Sequence, residues 1–195
     1  MPYTEQQQQH LLRIARDSIY SGLEHGKATI IDTTSIPDAL KEQRATFVTL
    51  HKQAQLRGCI GTIMATAPLA QHTAENAYAA AFRDHRFLPL EILEFDQLQI
   101  SISVLSPPKP LTFNDEAELL EKIRPGIDGL ILEQQYHRGV FLPSVWESLT
   151  DKKVFLNQLK RKAGLPLDYW SNEIRVNYFN TEYFSENEYQ SNEYK

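Results

Sequence analysis

Apolar side chains recur along this chain with two different periods, and the switches between them set the expected order of elements. After Thr4, whose hydroxyl can cap a helix, Leu11, Ile14, Ala15, Ser18, Ile19 and Gly22 follow a helical spacing, which predicts a helix over 5–24 ended by Gly26. The turn-rich SIPDALKEQ leads into a strand over Ala45–Leu50, and HKQAQ turns the chain into a returning strand, LRGCIGTI. A second helix begins near Ala67-Pro68 and carries a stripe of small residues, Ala70, Ala74, Ala77 and Ala81. Leu98, Ile100, Ile102 and Val104 alternate with Gln99, Ser101 and Ser103, the clearest strand pattern in the chain, and SPPKP ends it. A short acidic helix over Asp115–Ile123 precedes a hairpin, DGLILEQ and GVFLP around QYHR. Thr150 can cap a helix over Asp151–Ala163, with Val154, Phe155, Leu159 and Ala163 facing inward and Gly164 as its stop, and IRVNYF reads as the last strand.

Hairpins interleaved with helices predict a mixed α/β (α+β) fold, a mainly antiparallel or mixed sheet flanked by helices, rather than a doubly wound parallel one. RGCIG lacks the third glycine of the dinucleotide fingerprint, and no phosphate-binding GxxxxGK[ST] loop occurs. A length of 195 residues suits one domain over 5–184, with room for a smaller second lobe, followed by an acidic tail, 185–195, expected to be disordered.

Composition narrows the chemistry. The net charge of −5 lacks the basicity of dedicated nucleic-acid binders, so no DNA partner is expected. No basic-then-apolar leader and no run of 18 apolar residues appears, so no membrane is expected, and one cysteine without a disulfide partner points to a reducing, cytoplasmic setting. That single cysteine also excludes cysteine-rich metal sites, and with no HExxH-like pair the chain is expected to hold no metal and no cofactor of its own.

The cysteine stands in LRGCIGT. Strand alternation puts Arg57, Cys59, Gly61 and Ile63 on one face, where a cation beside a thiol is the arrangement that activates it, while Gly58 and Gly61 let a ligand or another backbone come close or accommodate a bulge. A buried cysteine acting as a small hydrophobe fits the same residues. Past the small-residue helix, Arg83, His85, Arg86 and Phe87 could grip an anion and stack on a ring, with His85 as a base for Cys59. Equally, the cations could complement the helix dipole while Asp84 pairs with an arginine. His72 and Glu75 share the polar side of their helix and could act as an acid–base pair, although a solvated face explains them as well. Pro143 and Trp146 read as turn and core residues, and Lys160, Arg161 and Lys162 could add an anion-attracting surface.

LRGCIGT, AENAYAAAFRDHRFLPLE, LQISISVLSPP, GIDGLIL, GVFLPSVWE and FLNQLKRKAGLPLDYW, in this order, resemble the AMMECR-type domain family over roughly Leu11 to Phe184. Prokaryotic members resemble protein A of the AmmeMemoRadiSam systems. The resemblance implies a RAGNYA-like fold and, as partners, a Memo-like protein and a radical-SAM protein. It implies an enzyme or enzyme component acting in a modification pathway on RNA, a nucleotide or a related small molecule. A non-catalytic nucleotide or small-molecule binding module, or a protein–protein adaptor, fits the resemblance as the alternative. Catalytic roles fall to Cys59 and Arg57, and substrate contacts to Gly58, Gly61, Arg83, His85, Arg86 and Phe87.

Overall fold

The computed structural model describes residues 2–187. Contacts divide the described residues into two compact units, 2–105 with 182–187, and 106–181, where a single domain with a smaller lobe is expected.

The first unit opens with α1, Glu5–His25. Thr4 accepts from the Gln7 amide while the Gln7 side chain binds back to Thr4, a capping box, and Gly26 closes the helix at φ 68°, a left-handed position that suits glycine. The expected inward residues are buried, and Ser18 satisfies its hydroxyl on the Ala74 carbonyl. The proline-marked connection contains one helical turn, α2 (Asp38–Lys41). Strands β1 (Thr46–Lys52) and β2 (Gln55–Gly61) run closer together than the five-residue HKQAQ turn predicts. Gln53 and Ala54 both take positive φ, so two residues suffice to turn the chain. Helix α3 spans Leu69–Phe82, and after it a 3₁₀ turn over Ile92–Gln97 leads into β3, Leu98–Leu105.

The sheet order is β2-β1-β3-β8, with β8 (Thr181–Ser185) a strand that periodicity does not foretell. Its core-facing residues, among them Val48, Leu50, Ile100, Ile102 and Phe184, pack with α1 and the alanine stripe of α3 in one buried cluster. The segment predicted as tail begins inside the fold: Ser185 ends β8, and the Glu186 carboxylate receives Arg16 at 2.7 Å and the Ile100 amide at 2.9 Å. The rest of that segment, 188–195, lies outside the described residues.

The second unit carries its own sheet, β4-β7-β5-β6. Strands β5 (Gly129–Gln134) and β6 (His137–Phe141) form the expected hairpin, and β7 (Arg175–Phe179) pairs antiparallel with β5. The short β4, Lys109–Leu111, emerges from the proline-rich SPPKP stretch at the sheet edge, where Pro110 leaves no strand further out in need of its missing N–H. Helix α4 is Glu116–Lys122 and α5 is Lys152–Lys162. Asp151, not Thr150, caps α5, accepting from the Val154 amide. Phe155, Leu159 and Ala163 are buried as expected, but Val154 points outward, 44% exposed, and Leu156 is buried instead. Phe155 stacks on Trp146 with centroids 3.6 Å apart, and the indole donates to the Asp128 carbonyl, so Trp146 is a core residue as its surroundings in sequence suggest.

Candidate functional site

The LRGCIG strand lies at the free edge of the first sheet. Gly58 pairs with the buried Leu50 and faces α3, where a Cβ would overlap the Ala80 carbonyl oxygen. The missing side chain therefore admits another backbone, not a ligand. At Gly61 a Cβ would strike the Phe47 ring, so that space too is already occupied. At both glycines the position of a side chain is thus taken up by the protein itself.

Register explains the arginine. Leu50 pairs with Gly58 and His51 with Leu56, which leaves Arg57 as an extra residue, a bulge, and interrupts the alternation predicted to set it beside Cys59. Its guanidinium instead binds Glu94 through Nε at 3.0 Å and Nη2 at 2.8 Å and donates to the Leu88 carbonyl. Lys52 joins the same carboxylate at 2.9 Å. Hydrogen bonding to Arg57 above all, against the opposing cost of burial, holds the Glu94 carboxyl down at about 2. Arg57 Nη1, by contrast, is buried with no partner among the described residues.

Cys59 turns the opposite way from Gly58 and Ile60, onto the sheet face with Thr49, Ser101 and Ser103. It is half-buried, and its sulfur accepts a hydrogen bond from Thr49 Oγ1 at 3.3 Å. Being on an edge strand, its peptide groups point out of the sheet, and side chains complete them. Asp84 Oδ2 accepts from the Cys59 amide at 2.9 Å, and Arg86 Nη2 donates to the Cys59 carbonyl at 3.3 Å. Asp84 and Arg86 are joined by a two-pronged ion pair, Nε–Oδ1 2.9 Å and Nη2–Oδ2 2.6 Å. Arg86 is the main reason the Asp84 carboxyl titrates far below the usual carboxylate range, with burial opposing and the Cys59 amide assisting. The pair thus stands where the next strand of the sheet would be.

Of the residues read from sequence, Cys59, Arg57, Arg86 and Phe87 come together: the half-buried Phe87 ring lies 5.9 Å from the Arg57 guanidinium carbon and 5.5 Å from that of Arg86. Arg83 and His85 do not join them. Arg83 lies over Tyr78 at 5.1 Å, and His85 is exposed, with no hydrogen bond to the thiol. Residues missed from sequence are Thr49, Asp84 as the holder of the cysteine peptide, and Glu94. Asp84 was legible as an arginine partner, whereas nothing local marks Glu94.

The other candidates resolve into structure. His72 is 5% exposed rather than on a polar face, its Nδ1 at 2.8 Å from the Arg44 carbonyl and its Nε2 at 3.2 Å from Thr66, while Glu75 accepts from Gln71. In the second unit Lys160 is fully buried on Glu116, so it lends no charge to the surface. Among the described residues no group of three His, Cys, Asp or Glu side chains could hold a metal ion, and no helix is long and apolar enough to cross a membrane.

Comparison with known proteins bears on the whole chain. The AMMECR1 family model matches residues 12–184. A protein from Methanothermobacter thermautotrophicus is 38% identical over 95% of this chain and 97% of its own length. Protein MJ0810 of Methanocaldococcus jannaschii is 39% identical over 83% of this chain and 81% of its own. Among solved structures, the uncharacterized protein PH0010 from Pyrococcus horikoshii superposes with a TM-score of 0.83 at 36% identity, covering 94% of this chain and 93% of that one.

Proposed function

This chain belongs to the AMMECR1 family, and from that premise we propose that it is an enzyme, or a component of one, whose working group is the Cys59 thiol. The observation that carries this reading is the way Cys59 is held. Its amide and carbonyl are fixed by Asp84 and Arg86, the residue is only half-buried, and its sulfur is fixed in direction by Thr49. A structural cysteine needs burial, not a clamp on its peptide. A nucleophile or covalent carrier needs its sulfur presented in one orientation, which the clamp supplies.

The cation bonded to Cys59 is Arg86, which donates to its carbonyl and whose side chain is 48% exposed, so it takes the role of anion anchor that sequence gives to Arg57. Arg57 becomes a positioning residue, locking the 88–94 segment and the Phe87 ring. The substrate class is a small anionic molecule, with nucleotides and RNA termini as members, and the reaction proceeds beside radical-SAM and Memo-like proteins. The test is reagent charge: the folded chain should lose more than half of its preference for iodoacetate over iodoacetamide at Cys59 when Arg86 becomes Gln. An unchanged preference removes Arg86 from the site.

A second reading, docking onto one of those partner proteins, is favoured by Leu88 and Leu93, 83% and 79% exposed beside the Arg57–Glu94 pair. Leu88→Ser with Leu93→Ser should then abolish co-purification with the radical-SAM or Memo-like protein, and intact co-purification contradicts it.

A further inference from the structure

The second unit contains a cavity that the thiol site does not use. Strand β4 ends at the Leu111–Val176 pair, so Arg175, the first residue of β7, lies past the end of its neighbour. The chain leaving β4 through Phe113 and the chain entering β7 from Trp170 enclose a notch of about 200 Å³. Its floor is apolar, since Leu111 and Val176 belong to the core of this unit. Two aromatic rings wall it, Phe113 and Trp170, tilted at 54° with centroids 5.9 Å apart. Trp170 is fixed from the interior by Lys160, fully buried and 5.6 Å from the ring, which is itself held by Glu116. The rings are therefore ordered before any ligand arrives.

The rim differs in kind from the floor. Arg175 and Asn177 line the notch, and among the described residues their side chains make no hydrogen bond or ion pair. Arg124, Arg138, Lys122, Lys153 and Lys160 of this unit are in ion pairs, whereas Arg175, like Lys109, Lys152, Arg161 and Lys162, is in none among the described residues. An unpaired planar fork at the mouth of an aromatic slot suits a carboxylate, which it can bind through two parallel bonds. The volume is below the ~300–1,000 Å³ of sites for drug-sized ligands, so one ring system fills it.

We propose that this notch binds small aromatic carboxylates. The ring lies against Trp170 and Phe113, the carboxylate sits on Arg175, and the Asn177 amide donates to its second oxygen or to a ring substituent. The site is independent of the thiol site in the first unit, and either could exist without the other.

The test is titration of the full chain with benzoate, benzamide and cyclohexanecarboxylate, followed by amide and indole NMR signals. Benzoate should shift the Trp170 indole N–H and the amides over 172–177, with benzamide and cyclohexanecarboxylate each at least tenfold weaker. Arg175→Gln, at an exposed position, should weaken benzoate at least tenfold and leave benzamide unchanged, while Arg175→Lys should fall between. The proposal is overturned if millimolar benzoate leaves Trp170 unmoved, if benzamide equals benzoate, or if Arg175→Gln keeps full affinity.

Discussion

Each unit of this protein has a four-stranded sheet whose edge strand returns from a tight hairpin, and in each that strand contains the same dipeptide. Arg57-Gly58 stands in β2 and Arg138-Gly139 in β6. Both glycines pair with a fully buried leucine, Leu50 and Leu132, and both lie under the backbone of a helix, Ala80 of α3 and Leu159 of α5. Both arginines turn to a glutamate, Glu94 and Glu133. The shared part of the two hairpins is therefore a packing device. What the first has alone is the next residue and its clamp: Cys59 held by Asp84 and Arg86, where the second has Val140. The comparison separates the glycine common to both hairpins, which packs, from the cysteine, which packing does not explain.

The strongest way to break the comparison is to fill both glycines. In Gly58→Ala the new methyl meets a backbone oxygen that cannot move without α3, so unfolding in urea should show a loss of ~3 kcal/mol or more. In Gly139→Ala the nearest atom would be 2.7 Å away, tight but shallower, and the loss should be about 1–2 kcal/mol. Equal and negligible losses would mean that neither glycine serves close packing.

Removing the clamp comes next. Asp84→Asn leaves the half-exposed Arg86 to find water but deprives the Cys59 amide of a charged acceptor, at a cost of about 2 kcal/mol. Because the folded-state carboxyl titrates below its unfolded value, the wild-type advantage should be complete above about pH 4 and vanish as pH falls below that. An advantage that grows toward low pH would contradict the pairing.

Glu94→Gln should cost less, about 1 kcal/mol, since Arg57 keeps its bond to the Leu88 carbonyl and the new amide oxygen can still accept from it. Its contribution should disappear between about pH 4.3, the ordinary value, and about pH 2, where the folded-state group titrates. Slower urea-unfolding of Glu94→Gln at neutral pH would reverse the sign and sink that assignment.

The smallest effect sharpens the contrast most. Cys59→Val gives β2 the residue that β6 has, and because the site is half-buried, stability should change by less than ~0.5 kcal/mol. A loss of several kcal/mol would mark the cysteine as a core residue after all.

Much of this architecture could be read before any coordinates. The Thr4 cap, the alternation from Leu98 to Val104 and the hairpin around Gln135 each rest on local chemistry, and each appears. What escaped depends on partners distant in sequence. The bulge at Arg57 exists only in the pairing with β1, and the arginine's partner Glu94 lies far along the chain. The three-residue β4, with Pro110 inside it, is a strand only because β7 lies alongside. His72 looks like a polar-face residue until the Arg44 carbonyl and Thr66 enclose it. The site was half legible: Cys59, Arg86 and Phe87 were marked by type and order, whereas Asp84 could be paired with an arginine but not placed on the cysteine amide.

The central claim is that Cys59 is a presented thiol rather than a filler, and the rate of its alkylation measures that directly. With iodoacetamide at neutral pH and the adduct located by peptide mass spectrometry, the folded chain should react within about tenfold of the urea-unfolded chain, as expected of a thiol presented from a half-buried residue. Labelling that appears only on the timescale of unfolding would contradict the account.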